Sequence, residues 1–139
     1  MDLRGGERVI KLAFAAALHQ RVPEDGIRYC FVTPADALPR MGAPWAVDLQ
    51  TAVEAWSSEA VLMVDGDNAP GFSLKALELG LKRLRLSPEH PALADLERYA
   101  KTMGAEVSTG SFFTEEEWTP VVPTRKQKRT AKSGTNRPD

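Results

Sequence analysis

The chain reads as one small α/β domain, with a sheet of about three mainly parallel strands packed by four to five helices and a disordered basic tail behind it. Three observations predict this. Apolar runs of strand length, residues 27–33 and 60–64, alternate with longer stretches of helical periodicity. The runs close in turn-forming residues, as strands of an open sheet do. A length of 139 residues with 42% apolar and 27% charged content is enough for a single core without covalent staples.

The elements follow in order. Residues 7–21 are expected to form a first helix, with Ile10, Phe14, Ala17 and Leu18 at helical spacing and Arg8, Lys11 and His19 opposite. Val22-Pro23-Glu24-Asp25-Gly26 is turn chemistry. Residues 27–33 then make a strand with Ile27, Tyr29 and Phe31 on one face and Cys30 and Val32 on the other, which suits a central position. Three prolines and a glycine leave 33–44 as a loop with at most a helical turn over 35–38. The second main helix covers 45–57, where Leu49, Ala52, Val53 and Trp56 fall at i, i+3, i+4 and i+7. The strand 60–64 comes next.

Beyond it, Ser73 is placed to cap a helix over 74–86 with Leu74, Leu77, Leu81 and Leu84 as its buried stripe. A further helix starts near Ser87-Pro88 and carries Leu93, Leu96, Ala100 and Met103 inward until Gly104 stops it. Residues 105–108 return as a short strand. Thr114-Glu115-Glu116-Glu117 has capping-box spacing and is expected to hold one helical turn, with Trp118 packing back. The domain is therefore expected over 1–118 and a flexible tail over 119–139.

Charge divides the chain the same way. Residues 1–118 hold twelve Lys and Arg against eighteen Asp and Glu, a net −6, and 119–139 hold six against one, a net +5. An acidic body with a basic tail directs any polyanion contact to the tail, through Arg125, Lys126, Lys128 and Arg129. The single cysteine, Cys30, excludes an internal disulfide framework and a cysteine-based zinc site. It sits in an apolar run and is expected to be a small core residue of a cytoplasmic protein. The run 12–18 is too short to span a bilayer, and Gln20-Arg21 stands where a signal peptide would have small residues. His19 and His90 lie in no catalytic spacing and are expected at the surface.

The stretch with the look of chemistry is Asp65-Gly66-Asp67-Asn68-Ala69-Pro70-Gly71, directly after the buried strand. It places two carboxylates at the carboxyl edge, where open α/β sheets bind ligands. Two hard oxygen donors there suit Mg²⁺ held by Asp65 and Asp67 with a phosphate completing its shell. The other expectation is a capped turn in which the same side chains bond nearby backbone N–H groups. An EF-hand is excluded, since Pro70 stands where that loop needs glycine and Ala76 where it needs glutamate.

Val61-Leu62-Met63-Val64-Asp65-Gly66-Asp67-Asn68 resembles three families over about ten residues. It is similar to the first motif of haloacid dehalogenase-like phosphatases, which implies Asp65 as nucleophile and Asp67 as acid/base; Ala69 stands where that family usually has Thr. It also resembles the opening of NYN/PIN-type ribonucleases at Asp65 and Asn68, and the Asp-x-Asp metal motif of nucleotide-sugar transferases.

Lys75, Lys82 and Arg85, expected near one another on the helix after the acidic turn, form a candidate phosphate or nucleic-acid grip, or a solvated face with Glu78 paired to Lys82. Trp45 and Arg40 are candidate anchors for a protein partner. The sequence points to a small non-catalytic binding or accessory protein without a cofactor, such as an inhibitor or regulator from a bacterial mobile element. It would dock a protein partner through its acidic body and touch nucleic acid or an acidic surface with its tail. The alternative is a metal-dependent phosphotransfer or nuclease domain using Asp65 and Asp67.

Overall fold

A computed structural model of the chain describes residues 6–121. The tail candidates Arg125, Lys126, Lys128 and Arg129 lie outside the described residues. The order of elements is β1 (Gly6–Leu12), α1 (Ala16–His19), β2 (Ile27–Val32), α2 (Ala37–Met41), α3 (Ala43–Trp56), β3 (Ala60–Asp65), α4 (Pro70–Leu79), β4 (Arg83–Arg85), α5 (Leu93–Met103), β5 (Glu106–Ser108) and β6 (Glu116–Trp118). The six strands form one parallel sheet in the order β5-β4-β3-β2-β1-β6.

The α/β class with a parallel sheet and five helices stands. Among the described residues, however, the sheet has six strands rather than about three. The extra strands come from segments whose helical spacing misled. Residues 7–12 alternate in a strand, with Ile10 and Leu12 fully buried on one face and Val9 and Lys11 on the other, and only Ala16–His19 is helical. The helix expected over 74–86 is α4 followed by β4. Gly80 takes φ +113° at the helix end, a left-handed conformation that glycine adopts at low cost. Leu84 and Leu86 are then buried two residues apart, as a strand requires. Ser73 sits inside α4 instead of capping it, and α5 starts at Leu93 rather than near Ser87. Residues 116–118 pair with β1 as a strand where a helical turn was expected.

Each connection from β1 to β5 advances one strand in the same direction. Right-handed crossovers in one direction place every helix on the same face of the sheet. The core shows this: Leu18, Leu38, Leu49, Val53, Leu77 and Leu96 from the five helices join Ile10, Phe31, Leu62 and Leu84 in one cluster. At its β1–β2–β6 end, Tyr29, Phe31, Trp56 and Trp118 form a four-ring group. All six of its centroid distances lie between 4.9 and 5.9 Å. The Arg21 guanidinium stacks 4.2 Å from the Trp118 ring, and the Trp56 indole N–H donates to the Arg21 carbonyl.

Among the described residues the opposite face carries no helix. Cys30, Val32 and Met63 form a small second cluster there with Val9, Val61 and Phe112. Burial pushes the Cys30 thiol above its ordinary value, with Glu7 adding to the rise and Arg83 opposing it. Along this face opposite charges stand directly across neighbouring strands, Glu7 from Arg28, Lys11 from Glu117 and Arg83 from Glu106.

A strap, residues 109–115, crosses this face to bring the chain from β5 back to β6. Phe112 packs under it, and the Glu115 N–H donates to the Val9 carbonyl. Five strand spacings amount to about 24 Å, and the steps from Ser108 to Glu116 supply about 26–29 Å when extended. The strap is thus nearly taut, which accounts for its lack of secondary structure. After β6 the Gln20 side-chain amide both accepts from the Val121 N–H and donates to its carbonyl, so residues 119–121 are tied to the domain. No helix among the described residues is long and apolar enough to cross a membrane.

Candidate functional site

Asp65 is the last residue of β3, and its neighbours explain why the chain turns there. Thr33, buried just past β2, receives the Asp65 N–H on its hydroxyl at 2.9 Å, which extends the β2–β3 pairing by one step. Gly66 then donates to the Arg85 carbonyl at 2.9 Å and passes close to α4. A Cβ on Gly66 would lie 2.2 Å from Ser73 Oγ and 2.8 Å from Leu84 Cδ1, so glycine is required by close approach. Ser73 Oγ in turn donates to the Gly66 carbonyl at 3.3 Å.

The acids face Arg85 of β4. Its Nη1 lies 3.0 Å from Asp67 Oδ2 and 3.7 Å from Asp65 Oδ2, and its Nε donates to the Gly110 carbonyl of the strap at 3.0 Å. The three side chains are 15–22% exposed, so solvent screens them little. Asp65 Oδ1 accepts the Asp67 N–H at 3.0 Å, an Asx-type turn. Asp67 Oδ1 accepts the Ser87 N–H at 2.6 Å, and Asp67 Oδ2 accepts the Ser87 hydroxyl. His90 completes the group. Its Nδ1 accepts the Ala92 N–H at 3.0 Å, which leaves Nε2 as the protonated nitrogen, 3.1 Å from the Asp67 carbonyl oxygen.

Burial alone would raise the Asp67 carboxyl. The Ser87 hydroxyl and N–H, Arg85 and His90 together outweigh it and hold the group below the usual carboxylate range. A carboxyl lowered in the folded state contributes stability that is fully present above its unfolded value of about 3.9 and is lost as pH falls through the folded one. The urea midpoint is therefore expected to fall between about pH 5 and about pH 2, and to fall less in Asp67→Asn. An equal acid dependence in the two proteins would contradict this.

The acid pair is thus where the sequence placed it, but it is clasped. Both Asp67 oxygens are engaged, and among the described residues no group of three or more His, Cys, Asp and Glu is close enough to hold a metal ion. Among the described residues the carboxylate donors for Mg²⁺ stop at Asp65 and Asp67. The sheet topology agrees, because ligand crevices open where connections diverge to opposite faces. The connections after β3 and β4 run the same way, and the loops close on each other.

Among the other candidates, β4 separates the three basic residues expected on one helix. Lys75 lies on α4, 3.6 Å from Glu78. Lys82 lies at the opposite edge of the sheet, 2.8 Å from Glu54 rather than paired with Glu78. Arg85 is inside the clasp. Trp45 is half-buried against the core and donates its indole N–H to the Ala13 carbonyl at 2.9 Å; Arg40 is exposed, 3.2 Å from Asp36. His90 proves to be part of the site rather than a surface residue. Ser87 and Thr33 join it from segments twenty or more residues away from the acids, with no local motif to mark them.

The fold and site define a parallel α/β domain with helices on one face and a closed acidic clasp at its carboxyl edge. Comparison with protein-family models, with curated proteins and with solved structures finds no match.

Proposed function

We propose that this chain is a small non-catalytic binding protein of the cytoplasm that docks a protein partner through its folded body, as an accessory or inhibitory protein would. Its basic segment adds contact with nucleic acid or an acidic surface. The observation that carries the reading is the clasp: both oxygens of Asp67 accept hydrogen bonds from Arg85 and Ser87. These bonds take three of the roughly four acceptor sites of Asp67 and hold two loops together. Asp65 gives Oδ1 to the Asp67 N–H and turns Oδ2 to the Arg85 guanidinium, a neighbour that weakens a nucleophile and repels a metal ion. Exposed apolar side chains at Met41, Phe72 and Leu79 give the body surface to bind with.

Two measurements test the reading. Turnover of p-nitrophenyl phosphate and of single-stranded RNA, with Mg²⁺ or Mn²⁺, is expected to be absent; activity abolished by Asp65→Asn would establish the enzyme instead. For the tail, fluorescence anisotropy with a single-stranded oligonucleotide is expected to show binding that weakens steeply with salt. The slope should be about −0.7 per phosphate neutralised, and binding should vanish in a chain ending at Trp118. Affinity unchanged by that truncation removes the nucleic-acid role.

A further inference from the structure

A groove of about 490 Å³ runs between α2 and α4, lined by Pro39, Asn68, Ala69, Gly71, Phe72 and Lys75. Helix α4 buries Ser73, Ala76 and Leu77. Phe72 and Leu79, seven residues apart and so on one flank of the helix, are left 44% exposed. The Asn68 side-chain amide donates to the Ala35 carbonyl at 3.3 Å and ties the loop after β3 to the entry of α2. The two walls are thereby tied to each other. Of the six lining residues Lys75 alone is charged, and its pair with Glu78 is exposed and 3.6 Å long, an arrangement worth little in water.

We infer that the α2–α4 groove docks a protein segment presenting an aromatic-sized apolar side chain beside a carboxylate. This rests on the binding reading above and gives it a place and a chemistry. The apolar group covers Phe72 and Pro39, and the carboxylate meets Lys75, the one cation of an otherwise uncharged cleft. A nucleic acid fits poorly, because its backbone needs a row of cations and the groove has one.

The test is amide chemical-shift mapping on the full chain with three probes of one shape and different charge: indole-3-propionate, 3-ethylindole and tryptamine. The carboxylate is expected to shift the amides of Gly71, Phe72 and Lys75. It should bind about threefold more tightly than the neutral probe, as one partly exposed charge pair allows, and tryptamine should be weakest. Lys75→Glu is expected to reverse the order, and Phe72→Ser to weaken all three while leaving the remaining spectrum intact. Shifts elsewhere, or an order indifferent to charge, overturn the inference. So does displacement of the carboxylate probe by an oligonucleotide. Phe113 of the strap is 86% exposed, so concentration-dependent shifts of these amides without any probe, removed by Phe113→Ser, would make a second copy the occupant and overturn it as well. Each of these outcomes leaves the turnover and anisotropy results untouched, so failure of the groove is distinguishable from failure of the binding reading.

Discussion

Arg85→Ala is expected to cost about 3–5 kcal/mol of unfolding free energy, the range for removing one partner of a largely buried ion pair. Three losses combine. Asp65 and Asp67 stay in a site where their side chains are only 15% and 22% exposed, now without a cation. The strap loses the donor to its Gly110 carbonyl. The loops after β3 and β4 keep only the Ser87 and His90 contacts between them. Arg85→Lys should recover a minor part, since one ammonium cannot reproduce the fork that reaches Asp67 and Gly110 together. Urea denaturation at neutral pH measures both variants. A loss below about 1 kcal/mol, the level of exposed pairs, would mean that the clasp is a surface ornament. Hydrogen exchange at residues 109–115 should rise in Arg85→Ala beyond what lower global stability explains.

Trp118→Ala is the second large effect, expected at about 3–5 kcal/mol as for other buried aromatic truncations. Trp118 is 3% exposed and touches each of the three other rings in its group, while Arg21 stacks on it. It is also the residue that seats β6 on β1, opposite Leu12. The same denaturation experiment reads the loss, and near-ultraviolet circular dichroism reads the disassembly of the coupled rings. Trp118→Phe should recover much of the stability, because ring volume matters more here than the indole N–H, which reaches only the exposed Glu116. A Phe variant as unstable as the Ala variant would assign the effect to that hydrogen bond.

The sequence disclosed the elements whose pattern was decided by burial. Strands β2 and β3 are covered on both faces and read as near-continuous apolar runs, interrupted in β2 by Arg28 alone; α3 and α5 carry long regular stripes. The three missed strands had a competing pattern. Across β1 and α1 the residues Ile10, Phe14, Ala17 and Leu18 fit one helix by spacing, yet Phe14 is 47% exposed and residues 8–12 alternate as a strand. Leu77 of α4, Leu81, and Leu84 of β4 continue one helical series across Gly80, whose left-handed backbone is the stop signal. In β6 two glutamates mask the strand preference of a single tryptophan, and pairing with β1 makes the segment a strand. At the site, the acids were legible because strand and turn are contiguous. Arg85 declares its charge in the sequence, but the leucine spacing around it suggests a helix. Ser87 and His90 were out of reach, since what recruits them is an Asp67 oxygen supplied from another loop.

The last strand completes the first. Ile10 acquires its second neighbour only from Glu116, at the far end of the domain. A ribosome adds about 5–20 residues per second, so the outer side of β1 waits unpaired in the nascent chain for on the order of ten seconds. Until the closing segment emerges, the Val9-Ile10 edge is open to pairing with neighbouring nascent chains. Assembly of this domain is therefore most vulnerable just before β6 emerges, and a stall within the strap would leave the outer side of β1 bare.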